Sequence, residues 1–173
     1  MKKALAVLLS VLILIPHCGC TLRQMQTSVT FYYQIKYDSK NAPTSGISSE
    51  QRECADIRND QIKQLQRYLS GPEDPDLVSP FPAGTTIKSL NFGKGRAYIT
   101  LSDHITQLHG VSLNIACACL VRTVEEMLGV NSVELRAESG MIDNEAFLIL
   151  RSSDYEFTDE YADYISSRPT TPQ

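Results

Sequence analysis

Tyr68-Leu69-Ser70-Gly71-Pro72, Ser79-Pro80-Phe81-Pro82-Ala83-Gly84-Thr85 and Thr123-Val124-Glu125-Glu126-Met127-Leu128-Gly129-Val130 are the blocks on which the reading of this chain turns. The first closes a helix. Gly71 supplies a left-handed cap, and Pro72 cannot continue the hydrogen-bond ladder. The second block, with Pro75 before it, is a stiff extended connector. The third closes another helix, with Gly129 placed as its left-handed stop. Between the second and third blocks, Ile87–Phe92 and Ala97–Leu101 read as short strands joined by Gly93-Lys94-Gly95, a hairpin turn with the glycines it needs.

Upstream, Val29, Phe31, Tyr33, Ile35 and Tyr37 alternate with Thr30, Gln34 and Lys36, the period of a half-buried strand. Asp38 to Ser49 is rich in Ser, Asn, Gly and Pro and reads as a loop. Cys54, Ile57, Gln61, Ile62, Leu65, Tyr68 and Leu69 then recur at helical spacing, which predicts a helix from about Glu50 to Ser70 opened by a Ser48/Gln51 capping box. A second helix opens at Val111 or Ser112, with Leu113, Ala116, Cys117, Leu120, Val121, Val124 and Leu128 as its apolar stripe. Leu90 and Phe92 are expected inward on the first hairpin strand, and Ala97, Ile99 and Leu101 on the second. Val133, Leu135 and Ala137 make a further strand, and Phe147–Leu150 is a candidate for one more. The predicted class is α+β: strands and helices in the order β-α-β-β-α-β, with two amphipathic helices covering one face of a small sheet.

The 173 residues hold one domain of ordinary size plus appendages. With 42% apolar and 21% charged residues the chain can bury a core. Its formal charge of −4 gives no basic footprint for nucleic acid. Residues 1–19 read as a signal peptide, with Lys2 and Lys3 before an apolar run from Ala4 to Ile15 that is shorter than a spanning helix. Gly19-Cys20 resembles the end of a bacterial lipobox, which makes Cys20 the expected lipidation site. Ordinary signal cleavage and an uncleaved anchor remain open beside it. Residues 20–28 would then be a tether, 29–151 the domain, and 152–173 an acidic tail whose end is expected to be disordered. The expected location is the extracytoplasmic face of a membrane.

Leu69-Ser70-Gly71-Pro72, Pro82-Ala83-Gly84-Thr85 and Thr123 to Val130 together resemble the GerMN domain of the GerM family of sporulation and germination proteins. The resemblance covers roughly residues 29–140. It departs where many members show a second strand, rich in Val and Pro and ending in Arg, since Asp38–Ser49 carries no such pattern. It departs again after Ser139, where a glycine-rich finish is missing. The resemblance implies a fold like a ring-building motif, a membrane-tethered and noncatalytic scaffold, and no cofactor. Its partners would be other envelope or sporulation proteins, or further copies of itself. An envelope module that recognises peptidoglycan or a small ligand is the alternative. The motif residues Gly71, Pro72, Pro82, Gly84 and Gly129 are explained by backbone geometry alone.

Other residues invite chemistry. Cys117 and Cys119 stand two apart on a helix, about 200° around its axis, and cannot chelate one ion together. Cys117 belongs to the apolar stripe, and Cys119 is expected on the opposite side with Ile115, Arg122 and Glu126. Cys54 and Cys117 lie on core-facing stripes and are candidates for a disulfide. Asp103, His104 and His109 form a polar cluster without an evident third metal ligand, so no metal site is expected. Ser102 and Ser112 lie near them, but no Gly-x-Ser-x-Gly elbow is present. Gly93-Lys94-Gly95-Arg96 could hold an anion, against its plainer reading as a turn. Tyr32 lies on the outer face of the first strand, which could be a sheet edge open to strand addition.

Overall fold

In a computed structural model of the chain, the described residues are 27–36, 46–54 and 60–155. The signal segment, Cys20, Ile57 and the tail beyond Tyr155 lie outside them. Strand β1 (Thr27–Ile35) is the hydrophobic axis of a three-stranded sheet. Val29, Phe31, Tyr33 and Ile35 are all buried, as the alternation requires. On one side β1 pairs with β2 (Ile47–Cys54), antiparallel and unbroken from Thr27↔Cys54 to Gln34↔Ile47. A two-residue strand, β3 (Leu77–Val78), joins β1 at Gln34 and Ile35 and tethers the proline-rich connector.

Strand β2 overturns two expectations. The second strand thought to be missing is present, and residues 50–54 belong to it and not to a helix. Glu, Gln and Arg favour a helix locally, but burial outweighs that preference here. Arg52 and Cys54 point into the core, where each finds partners that a helix would have denied it. Helix α1 therefore spans only Gln61–Leu69. Its cap is Asp60, whose Oδ1 accepts the Lys63 amide at 3.1 Å, in place of the Ser48/Gln51 box. Leu65, Tyr68 and Leu69 face inward as expected, but Ile62 is 51% exposed and Gln64 takes the inward place.

A second sheet runs β4 (Ile87–Gly93), β5 (Arg96–Leu101), β6 (Ser132–Ala137) and β7 (Leu148–Leu150) in that spatial order. β4 and β5 form the expected hairpin. Its two turn residues, Lys94 and Gly95, have φ of 53° and 77°, the signature of a type I′ turn. β5 and β6 are parallel and joined through helix α2 (Gly110–Leu128). Phe92, expected inward, is 53% exposed near the hairpin tip. Glu134, on the outer side of β6, is only 7% exposed because Arg96 and Arg136 fold over it.

The long elements keep the expected order, with β2 and β3 added, β7 falling within the candidate stretch Phe147–Leu150, and the strands divided between two sheets. α2 packs against β1 and against β6 and β7. That position explains why Ile115, Ala118 and Cys119 are buried together with the expected stripe. It also closes the side of β1 that the sequence left open. The Tyr32 amide donates to Thr123 Oγ1 at 3.0 Å, the Tyr32 hydroxyl to Glu126 Oε2 at 3.0 Å, and Arg122 lies over the Tyr32 ring. β1 is an interior strand whose second side is covered by a helix. Among the described residues no helix is long and apolar enough to cross a membrane.

Candidate functional site

Four of the motif residues, Gly71, Pro72, Pro82 and Gly84, gather at two joints, while Gly129 closes α2. At the first, α1 turns into the connector through Gly71, whose φ of +102° only glycine adopts without strain. The carbonyl freed there is captured from β2: Arg52 Nη2 donates to Gly71 O at 2.6 Å. The same guanidinium donates through Nε to Glu50 Oε1 at 2.6 Å, pairs with Glu50 again through Nη2, and lies over the rings of Phe31 and Tyr33. Glu50 in turn accepts the amides of Glu73 and Asp74, at 3.0 and 2.9 Å, just beyond Pro72. The Tyr33 hydroxyl donates to Tyr68 O at 2.8 Å and sits within an aromatic cluster with Tyr68, Phe31 and Phe81. A buried ion pair and four rings thus clamp the Gly71-Pro72 corner.

The second joint is the Pro82-Ala83-Gly84-Thr85 turn. The Thr85 amide and hydroxyl both donate to Pro82 O, at 3.1 and 2.7 Å, and Gly84 sits at φ +85°. A Cβ on Gly84 would stand 3.2 Å from His104 Nε2, so the glycine also makes room for the imidazole. His104 Nδ1 is 3.2 Å from Ser102 Oγ, which already accepts the Thr86 amide at 3.0 Å. These groups, with Lys88, Asp103, Gln107 and Glu138, line an open groove of about 410 Å³.

Ser102 and His104 have the distance of a nucleophile and base, but the third member of such a set is turned elsewhere. Asp103 accepts both the hydroxyl and, at 2.9 Å, the amide of Ser139. Those two bonds hold its carboxyl below the ordinary 3.8 and pin the loop after β6. Ser102 is buried and engaged by backbone. Lys88 is paired with Glu138 at 3.0 Å. His109 is not brought to His104; it approaches Asp143 at 3.7 Å on the surface. Among the described residues no group of three His, Cys, Asp or Glu side chains is arranged to hold a metal.

The three cysteines among the described residues are equally unsuited to reaction. Cys54 and Cys117 are free thiols, not the disulfide weighed from their stripes. Cys54 donates to Gln64 Oε1 at 2.8 Å, whereas Cys117 lies beside Tyr155 at the end of the described chain. Burial pushes the Cys117 thiol up to about 12 and raises that of Cys119 as well, so little thiolate exists at neutral pH. In the hairpin loop, Arg96 donates to Ser132 Oγ at 3.2 Å and lies 3.6 Å from Glu134, so its charge is directed across the sheet. Gly129 ends α2 at φ +65°, as expected.

Sequence reasoning missed the parts played by Glu50 and Arg52, and the bond that Thr123 of the third block accepts from Tyr32. Their signal was weak because each is a polar residue at an inward position. Only the alternation of Glu50, Arg52 and Cys54 with Ser49, Gln51 and Glu53 hints at a strand.

A family model described as Germane, sporulation and spore germination, matches residues 30–142. The tandem GerMN domains of the sporulation protein GerM from Bacillus subtilis superpose with a TM-score of 0.61 at 15% identity, covering 83% of this chain and 51% of that one. The chain thus spans about half of that structure. The first GerMN domain of the same protein superposes with a TM-score of 0.53 at 16% identity, over 78% of this chain and 98% of that one. At such identities the superpositions speak for the fold. No curated protein matches the sequence.

Proposed function

The chain belongs to the Germane family of sporulation and spore germination proteins, and on that premise we propose that it is a lipid-anchored, noncatalytic scaffold on the extracytoplasmic side of a membrane. Cys20 carries the lipid, residues 1–19 are the leader, and the domain meets other envelope or sporulation proteins or further copies of itself. One observation carries this reading. The residues that give the chain its family likeness lie at backbone joints, and the polar side chains around them are spent on holding those joints. What such a module offers a partner is a fixed surface.

Two variants in the full chain test the proposal. Cys20→Ala should move the protein from the membrane to the soluble fraction; unchanged membrane association would remove the lipid anchor. A double His104→Ala, His109→Ala chain should restore sporulation or germination to a strain lacking the gene as well as the parent chain does. A folded double variant that fails to do so would show that an imidazole takes part in the function. The groove beside His104 favours a second reading, an envelope module that binds a peptidoglycan fragment or another small polar ligand through Ser102, His104, Gln107 and Lys88.

A further inference from the structure

The short stretch between Cys20 and the domain determines which end of the fold lies nearest a membrane. β1 begins at Thr27, so six residues separate the expected lipidation site from the first strand. Fully extended, that stretch reaches about 25 Å, and the headgroup layer takes up about 6 Å of it. A domain of this size is about 35 Å across. The tether is therefore shorter than the domain is wide, and the Thr27 end is held close to the bilayer surface.

Thr27 pairs with Cys54, the last residue of β2, and Cys54 bonds to Gln64 of α1. From there α1 runs antiparallel to β2, since Arg67 Nη1 donates to Glu53 O at 3.1 Å and Arg52 Nη2 donates to Gly71 O. The first turn of α1 thus stands at the same end as Thr27. Its exposed residues are Ile62 and Lys63. Lys63 pairs with no carboxylate among the described residues, whereas Arg67, one turn on, is shared with Glu73. α1 contains no acidic residue, and the Asp60 carboxylate before it accepts the Lys63 amide. Beside Lys63, an open groove of about 500 Å³, lined also by Glu53, Gln66, Arg67 and Ser70, has room for a lipid headgroup.

We propose that this first turn of α1 docks on the phospholipid surface, with the Ile62 side chain in the headgroup layer and the Lys63 ammonium at the depth of the phosphates. This rests on the reading of Cys20 as the lipid anchor and adds an orientation to it. A single exposed isoleucine needs no explanation on its own; its place beside the end of the tether supplies one. One isoleucine and one lysine would not hold a free protein on a bilayer. The anchor makes the contact intramolecular, so a weak interaction is enough to populate it. Lysine suits the position, because its apolar stem lies along the interface while its charge stays in water beside the phosphates. The opposite end of β1, where Gln34 meets Val78, is about 23 Å further along the strand and is left facing away from the lipid.

The chain contains no tryptophan, so one added indole reports its own surroundings. The full chain, lipidated and reconstituted in vesicles of phosphatidylethanolamine and phosphatidylglycerol, is compared as Ile62→Trp and Val78→Trp, both at exposed positions. The two variants carry the same indole, so any difference between them reports position. Lipids brominated near the top of the acyl chain should quench Ile62→Trp and leave Val78→Trp unquenched, and the emission of Ile62→Trp should shift to the blue. Sedimentation with the vesicles reports the anchor separately. Chains that sediment but show equal quenching at the two positions would overturn the docking and leave the anchor standing. Chains that stay in solution would overturn both.

Discussion

Arg52→Met probes the clamp at the Gly71-Pro72 corner. Arg52 is 5% exposed and its Glu50 partner is largely buried. Truncating it strands the Glu50 carboxylate, frees Gly71 O, and removes a cation from above Phe31 and Tyr33. Breaking a buried ion pair by removing one member costs about 3–5 kcal/mol, a large share of the roughly 5–15 kcal/mol that holds a domain of this size. With a urea dependence of about 2 kcal/mol per molar, the unfolding midpoint should fall by about 2 M. Replacing both residues, Arg52→Met with Glu50→Met, should restore part of the loss. No charge is then left buried, and the amides of Glu73 and Asp74 belong to exposed residues that water can reach. The assay is equilibrium urea unfolding of the four members of the cycle, followed by far-ultraviolet dichroism. A single-variant loss below about 1 kcal/mol, or a double variant weaker than either single one, would refute the clamp.

Gly84→Ala should destabilise the domain by about 1–3 kcal/mol, since it forces a Cβ into a left-handed backbone and against His104; thermal unfolding measures it. Leu120→Asp should abolish folding by placing an unpaired charge where α2 is fully enclosed, and a folded variant seen by proton NMR would contradict the helix phase. For Asp103, Ser139→Ala should raise the carboxyl pKa toward 3.8, read by carbon-13 NMR titration. Because the folded value is the lower one, the stabilising contribution of Asp103 is present above pH 3.8. It is lost as pH falls through the depressed value, and Ser139→Ala should flatten that acid limb.

Much of the architecture could be read in advance because the relevant residues are of unambiguous type. Alternating Val29, Phe31, Tyr33 and Ile35 can form only a half-buried strand, and Gly71-Pro72 and Gly129 stop helices by backbone geometry. The hairpin was legible for the same reason. β2 was not, because its inward positions are Glu50, Arg52 and Cys54, and a buried charge pair reads locally as helix-favouring surface. The number of sheets was hidden as well. α2 looks one-sided in apolar pattern, yet small residues such as Ala118 and Cys119 let its other side enter the core. At the candidate site, His104 was visible, but the approach of its ring to Gly84 depends on a turn and a loop eighteen or more residues apart. Asp103 stood beside His104 in the sequence as part of one polar cluster. Its commitment to Ser139 arises from a loop on the far side of α2.

Competitive capture tests the scaffold proposal most directly. The full chain is cross-linked in cells entering sporulation or germination, recovered, and analysed for bound protein, with purified muropeptides titrated as competitors. A scaffold should retain a discrete envelope protein, or another copy of itself, at every muropeptide concentration and show no saturable glycan binding. Saturable muropeptide binding with no protein retained would contradict it.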